Sequence, residues 1–391
     1  MIPPVALDLA AALPLLLWVY LLAARGGFWR ISRALAPRVP RAPPGKRVIA
    51  VIPARNEADV IAQAVESLLG QDRAVALEVI VVDDGSTDGT AAAAQAAAAR
   101  AGASARVTVI PGALLARGWS GKLWALAQGV QRALERAPDF LLLTDADVRH
   151  GRADVAALVA IAEAEGRDLV SYMVRLSVRT LAERWLIPAF VFFFFEIYPP
   201  AWVASPRART AAAAGGCILI RPGALARAGG LTAIRAHLID DCALAAAVKA
   251  SGGSVRLALA ETAESIRPYG SLAEIGRMIS RSAFNQLRHS YALLAATLAG
   301  LALAYALPLA FLIAGDPLAR VLGALSWALM TLLYAPMVRF YRLSVLWSLT
   351  LPAIALFYAA ATVHSAVEYT RGRGGRWKGR VQDARASGAG R

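Results

Sequence analysis

Almost uncharged stretches of membrane-spanning length at both ends of the chain limit its possible folds more than any other feature. Val5–Ala24 contains one charge, Asp8, and is long enough to cross a bilayer. Three further apolar stretches close the chain: Tyr291–Gly315, Val321–Val338 and Leu343–Val367, the second at the lower limit of length. No basic run precedes the first stretch, as a cleaved secretion signal requires. Positive charge follows it instead, at Arg25, Arg30, Arg33, Arg38, Arg41, Lys46 and Arg47. By the positive-inside rule the N-terminus is outside and the chain beyond about residue 25 is cytosolic.

Composition agrees with a mixed protein. The 391 residues are 58% apolar and 18% charged, too oily for a soluble enzyme and too charged for a membrane bundle. The net charge of +15 comes from 42 Lys and Arg against 27 Asp and Glu. These basic residues cluster beside the apolar stretches, including Arg371, Arg373, Arg376, Lys378 and Arg380 at the C-terminal end. That placement suits an anionic membrane face, and no nucleic-acid partner is expected. The two cysteines, Cys217 and Cys242, have no metal-ligand spacing, so neither a disulfide framework nor structural zinc is expected. The four histidines, His150, His237, His289 and His364, form no paired motif.

Between residues 46 and 180 apolar runs alternate with alanine-rich helical segments. Strands are predicted at Arg47–Pro53, Glu78–Asp83, Arg106–Ile110, Phe140–Thr144 and Asp168–Val174. Helices are predicted at Asp59–Leu69, Asp88–Ala101, Lys122–Arg136 and Ala153–Glu165. Near-continuous apolar strands imply a parallel sheet covered on both faces, with the ligand at the strands' carboxyl ends. The polar clusters fall there. The first strand runs into Pro53, Ala54, Arg55, Asn56 and Glu57, and the second into Asp83, Asp84, Gly85, Ser86 and Thr87. Turn chemistry alone explains either cluster singly, with Asp88 capping the next helix. The fourth strand ends in Thr144-Asp145-Ala146-Asp147. Carboxylates two apart on an extended chain share a side and repel unless a cation lies between them. A hard divalent cation, Mg2+ or Mn2+, bound to a diphosphate meets that need. Gly118-Trp119-Ser120-Gly121-Lys122 opens a helix whose N–H groups and lysine can face phosphate. Gly215 and Gly216 would allow close backbone approach to a sugar. Asp240 and Asp241 open a helix, which favours the helix dipole, so capping is the competing explanation.

In order, IPARNE, DDGSTDGT, GWSGK, TDADV, AAGGC and LIDDCAL resemble the motifs of family 2 glycosyltransferases. The likeness is strongest to the hopene-associated subgroup of bacterial hopanoid clusters and more distant to ceramide glucosyltransferases. LIPAFVFFF, IDDCALAAAVK and RSAFNQLRHS extend it over nearly the whole chain. The resemblance implies an α/β fold, a GT-A domain with a Rossmann-like mixed sheet, between N- and C-terminal transmembrane helices. Its boundaries would be an anchor at 1–26, a cytosolic transferase domain at 45–290, membrane helices at 291–369 and a basic cytosolic tail at 370–391. It implies an inverting transferase of the bacterial inner membrane that moves sugar from a nucleotide-sugar donor, a UDP-sugar, to a membrane lipid. Asp241 would be the base and Asp240 its supporter. Asp145 and Asp147 would hold the metal, with Asp145 also at the donor. Pro53, Ala54, Asn56, Glu57, Asp83, Asp84, Lys122, Gly215 and Gly216 would line the substrates. One element is missing, the Q-x-x-R-W string common in the family. Arg281 (with Arg277) and the tail's Arg376, Trp377 and Arg380 are the candidates to replace it.

Competing classes fit less well. A nucleotidyltransferase wants a basic glycine-rich loop after the first strand, and IPARNE is not one. A degenerate scaffold would have lost Asp145, Asp147 or Asp241, and a transporter would carry charge within its spans. Trp185–Ala204 is also apolar but has Glu196 and prolines at 188, 199 and 200. Motifs needed in one compartment flank it, so it is expected to be interfacial or re-entrant beside the lipid acceptor. A parity conflict remains: three crossings after residue 290 would put the basic tail outside. Leu343–Val367, with Pro352 inside it, is expected to be the stretch that fails to cross, with Val321–Val338 as the alternative.

Overall fold

The computed structural model describes residues 4–36, 43–374, 376–377 and 380–381. The chain forms two compact units interleaved in sequence. One comprises Arg33–Ser177, Trp202–Pro268 and Arg376–Arg391, the other Met1–Ser32, Val178–Ala201 and Tyr269–Gly375. These boundaries differ from the contiguous 45–290 domain expected above.

The first unit is built on an eight-stranded sheet ordered β3-β2-β1-β4-β7-β6-β8-β5. Its strands are β1 (Lys46–Ala54), β2 (Val75–Asp83), β3 (Val107–Pro111), β4 (Phe140–Thr144), β5 (Val148–Arg149), β6 (Leu169–Arg175), β7 (Cys217–Ile220) and β8 (Val255–Ser265). The helices are α3 (Ile61–Leu69), α4 (Thr90–Arg100), α5 (Gly121–Leu134), α6 (Asp154–Ala164), α9 (Pro222–Arg227) and α10 (Asp240–Ala250). Strands β1 to β4 run parallel, as the unbroken apolar runs predict. The sheet is mixed rather than wholly parallel, because β7 runs antiparallel to both β4 and β6. Register Ala54↔Asp83 brings β1 and β2 to a common carboxyl edge beside the end of β4. Helix α5 lies close on that half of the sheet: a Cβ at Gly129 would come within 2.3 Å of Val51 Cγ1. Only glycine permits that approach. The two short strands β9 (Arg376–Trp377) and β10 (Arg380–Val381) pair antiparallel. The side chains of Arg376, Trp377 and Arg380, and residues 378–379, lie outside the described residues.

The second unit is helical. It contains α1 (Pro4–Ala23), α7 (Leu181–Ile197), α11 (Leu272–Ser280), α12 (Ala283–Gln286), α13 (Tyr291–Leu301), α14 (Leu307–Ala314), α15 (Pro317–Phe340) and α16 (Leu351–Thr370). Single-turn helices α2 (Ile31–Ala34) and α8 (Pro200–Ala204) lie where the chain passes between units. Among the described residues three segments are long and apolar enough to cross a membrane: Tyr291–Ala314, Pro317–Phe340 and Val345–Thr370. The shorter apolar N-terminal helix packs on α15. A π turn at Ala302–Ala306 joins α13 to α14, and the Trp18 indole donates to the Ala304 carbonyl at 2.8 Å. Helix α7 runs unbroken through Pro188 and ends before Pro199-Pro200, so the apolar stretch 185–204 is divided between α7 and α8. It opens on a Thr180–Glu183 capping box whose buried carboxylate also accepts the Tyr269 N–H at 2.7 Å.

The path of the last apolar stretch bears on the parity conflict. Gly323 on α15 abuts α14, where a Cβ would lie 2.5 Å from the Pro308 carbonyl oxygen, so α14 and α15 form an antiparallel hairpin. After α15 the chain doubles back through a 3-10 segment, Val345–Thr350, and the Trp327 indole donates to Leu349 O at 3.1 Å. Helix α16 then reverses. Its far end meets the start of α13: Ser365 Oγ accepts the Phe284 N–H at 3.0 Å, and Tyr369 stacks on His289 at 4.1 Å. Pro352 stands in the first turn of α16, where its missing N–H costs nothing, and does not interrupt the helix. With α13–α14 and α15 spanning a bilayer, this path returns residue 370 to the side on which α13 begins. A cysteine at Arg371 is therefore expected to resist an impermeant thiol reagent on intact cells and to label after permeabilisation. Labelling on intact cells would place the tail outside.

Candidate active site

Hydrogen bonds tie the loops after β1 and β2 into one edge. Asn56 adopts a left-handed φ of 52°, which asparagine tolerates better than most residues. Its N–H donates to Ser86 Oγ at 3.0 Å and its Oδ1 accepts the Thr87 N–H at 2.9 Å. Glu57 N–H donates to Thr90 Oγ1 at 2.8 Å. Asp88 stands one residue before the cap, Gly89, and accepts the N–H groups of both Thr90 and Ala58. Pro53 and Ala54 are buried at the end of β1, and the Ala54 carbonyl accepts the Asp84 N–H at 2.8 Å. Asp83 Oδ1 accepts the Ser86 N–H at 2.9 Å, while buried Asp84 lies 3.7 Å from the Arg55 guanidinium. The turn residues do local work, as their chemistry alone suggests, and that work fixes the acidic groups in place.

The centre of the site is Lys122, in the first turn of α5. Ser120 caps that helix, its Oγ accepting the Leu123 N–H. Lys122 Nζ lies 2.8 Å from Asp145 Oδ1 and 3.6 Å from Asp240 Oδ2. Burial opposes its charge, but Asp145, Asp240 and Asp241 together outweigh burial and hold the ammonium above the ordinary lysine range. Desolvation raises the Asp145 carboxyl against the pull of Lys122. Asp241 is held by two backbone donors, Gly215 N–H at 2.8 Å and Cys242 N–H at 2.7 Å. Burial and the Asp240 charge push it up to about 6, against Lys122 and those two donors. Gly215 lies close against both groups: a Cβ there would sit 3.2 Å from Lys122 Nζ and 3.3 Å from Asp241 Oδ2, a tight contact that would press on them. One small cavity is lined by Lys122, Asp145, Gly215, Asp240 and Asp241. Gly216 is turned inward, against Val148 and Val174.

Asp147 faces different partners. Ser265 Oγ donates to it at 3.1 Å, and Arg267 Nε lies 3.7 Å away. Among the described residues no three His, Cys, Asp or Glu side chains gather as a ligand set. The chain offers two hard carboxylates, Asp145 and Asp147, which suit a cation whose remaining positions are filled by phosphate oxygens. Arg281 is exposed at the C-terminal end of α11, in the helical unit.

Sequence reasoning missed Arg267 and His150. Buried His150 Nε2 lies 2.9 Å from Thr144 Oγ1, which donates to the Gly216 carbonyl at 2.8 Å. With its proton so used, the threonine oxygen accepts from His150 Nε2–H, which fixes the tautomer. Burial lowers this imidazole to about 4, so it is neutral and braces the strand end that carries Asp145. Neither residue lies in a motif, and only the fold brings them to the site.

Comparison with known proteins then decides the class. Residues 49–226 match the family model for Glycosyl transferase family 2. The chain carries a family 2 glycosyltransferase domain. This glycosyltransferase is similar to the mannosyltransferase PcManGT from Pyrobaculum calidifontis, solved with GDP-Man and Mn2+, at 23% identity and a TM-score of 0.54. The match covers 92% of this chain and 98% of that one and shows a shared GT-A fold. A glucosyl-3-phosphoglycerate synthase from Mycobacterium tuberculosis, solved with Mn2+ and UDP-Glc, matches at 18% identity and a TM-score of 0.38. That match covers 62% of the glycosyltransferase and 78% of the synthase. No curated protein sequence matches.

Proposed function

We propose that the protein is an inverting, membrane-bound glycosyltransferase that moves a sugar from a UDP-sugar to a membrane lipid. The supporting observation is the Asp241 carboxylate, held by two N–H donors at the edge of the cavity with Lys122 and Asp145. A carboxylate with a pKa near 6 is ionised at neutral pH and basic enough to take a proton from an acceptor hydroxyl. Asp145 and Asp147 would hold Mg2+ or Mn2+, which when bound neutralises the diphosphate leaving group. Lys122 would bind the same diphosphate and Asp240 would hold Lys122 in place. Glu57, Asp83 and Asp84 would hold the base and ribose. The apolar helices favour a lipid acceptor, for which a hopanoid is the choice by resemblance, at the cytosolic face of a bacterial inner membrane. Arg376, Trp377 and Arg380 would belong to the cytosolic tail serving the same site.

The test is full-length protein in detergent, supplied with UDP-, GDP- and dTDP-sugars and extracted membrane lipid. GDP-sugars are included because the Pyrobaculum structure holds GDP-Man. Metal-dependent transfer from the UDP-sugar into the organic phase, with inverted anomeric configuration, is expected. Transfer only to water or soluble acceptors overturns the lipid assignment, and a retained configuration removes Asp241 as base.

A further inference from the structure

Arg267 stands two residues beyond the end of β8 and reaches acids from two separate loops. It is hydrogen-bonded to Glu57, at the end of β1, and lies 3.6 Å from Asp59 and 3.7 Å from Asp147. Its backbone is tied to the same place, since the Ile266 N–H donates to Asp147 O at 2.9 Å. About a third of the side chain is exposed, so the guanidinium borders open space. Lys122 stands in the same relation to Asp145. Each carboxylate of the Asp145–Asp147 pair thus has its own cationic side chain, and each cation has a second anchor outside the pair, Asp240 for Lys122 and Glu57 for Arg267.

A guanidinium and a divalent cation compete for one carboxylate, because each needs its charge and the two repel. A guanidinium also presents five donors in a planar fork that matches phosphate oxygens. We propose that Arg267 is a diphosphate-binding residue of this enzyme that doubles as the counter-ion of Asp147 while the donor is absent. When donor and cation arrive, Arg267 gives up Asp147, stays anchored at Glu57 and turns its free donors to the diphosphate. It fills the role left open by the missing Q-x-x-R-W string. Cation binding is weak without nucleotide for this reason and strengthens with it. The inference rests on the reading of Asp147 as a cation ligand.

Two measurements on full-length protein in detergent test it: Mn2+ binding without nucleotide, by the paramagnetic resonance of free Mn2+, and UDP and GDP binding in saturating Mn2+, by calorimetry. Arg267→Gln is expected to bind Mn2+ about tenfold more tightly without nucleotide and nucleoside diphosphate about tenfold or more weakly with it. Arg267→Lys, which keeps the charge but not the fork, should recover the wild-type Mn2+ affinity and only part of the nucleotide affinity. It also serves as the readout if the glutamine variant does not fold. Unchanged affinities in a folded Arg267→Gln protein overturn the proposal, and lost nucleotide affinity with unchanged Mn2+ affinity overturns the counter-ion role. Asp147→Ala separates the two ideas: if it binds Mn2+ like wild type when nucleoside diphosphate is present, the metal reading itself fails whatever Arg267 does.

Discussion

Asp241→Asn is expected to lower sugar transfer by roughly 10²–10⁴-fold, the usual worth of a general base, while nucleotide affinity stays within a few-fold of wild type. Asparagine has the shape of aspartate and can still accept one of the N–H groups of Gly215 and Cys242. What it lacks is the ionisable oxygen. The wild-type pH profile gives a second check. Burial and Asp240 raise the Asp241 pKa to about 6, and the base works only when ionised. kcat/KM should therefore fall by about tenfold per pH unit below that value, and this limb should vanish in the variant. The sign for stability is opposite. A folded pKa above the unfolded one means that stability from this group is lost as pH rises through the shifted range. Normal transfer by a folded Asp241→Asn protein would reduce the residue to a helix cap.

Removing the Asp147 carboxylate should have an effect of similar size on binding rather than chemistry. Asp147→Ala is expected to lose metal-dependent affinity for nucleoside diphosphate by at least ~100-fold, since even outer-shell partners of a metal ligand can be worth that much. The fold should survive, because the variant keeps the bond from Ile266 N–H to the Asp147 carbonyl and loses only the carboxylate's contacts with Ser265 and Arg267. Calorimetric titration with UDP, with and without EDTA, measures it. Tight EDTA-insensitive binding by the folded variant would falsify the assignment.

The parallel half of the fold was legible because each of its strands is a continuous apolar run ending in residues that cannot continue it. Ile49–Ile52 and Leu141–Leu143 read as buried strands from composition alone, and are buried. Direction was not legible in β7: Cys217–Ile220 is equally apolar either way round, and only its pairing with β4 and β6 shows it antiparallel. Pro352 misled: it stands in the first turn of α16, and sequence alone does not distinguish a break from a helix start. At the site, Lys122, Asp145, Asp240 and Asp241 stood out because charged residues interrupt apolar patterns at strand and helix ends. Arg267 did not, among so many arginines, because its meaning depends on Glu57, which is 210 positions away in sequence.

The interleaving of the two units sets an order of events during synthesis. Helix α7 carries Phe192 and Phe195, fully buried in the finished protein, and packs with α11, α15 and α16. Those partners leave the ribosome only between residues 272 and 370, long after α7. Meanwhile the sheet lacks β7 and β8, which follow α7 in sequence. For most of translation, therefore, neither unit can close, and the aromatic helix has only the N-terminal segment, where Phe28 meets Phe192, to pack against. A nascent chain of this design gains from anything that shelters that helix until α11, α15 and α16 emerge.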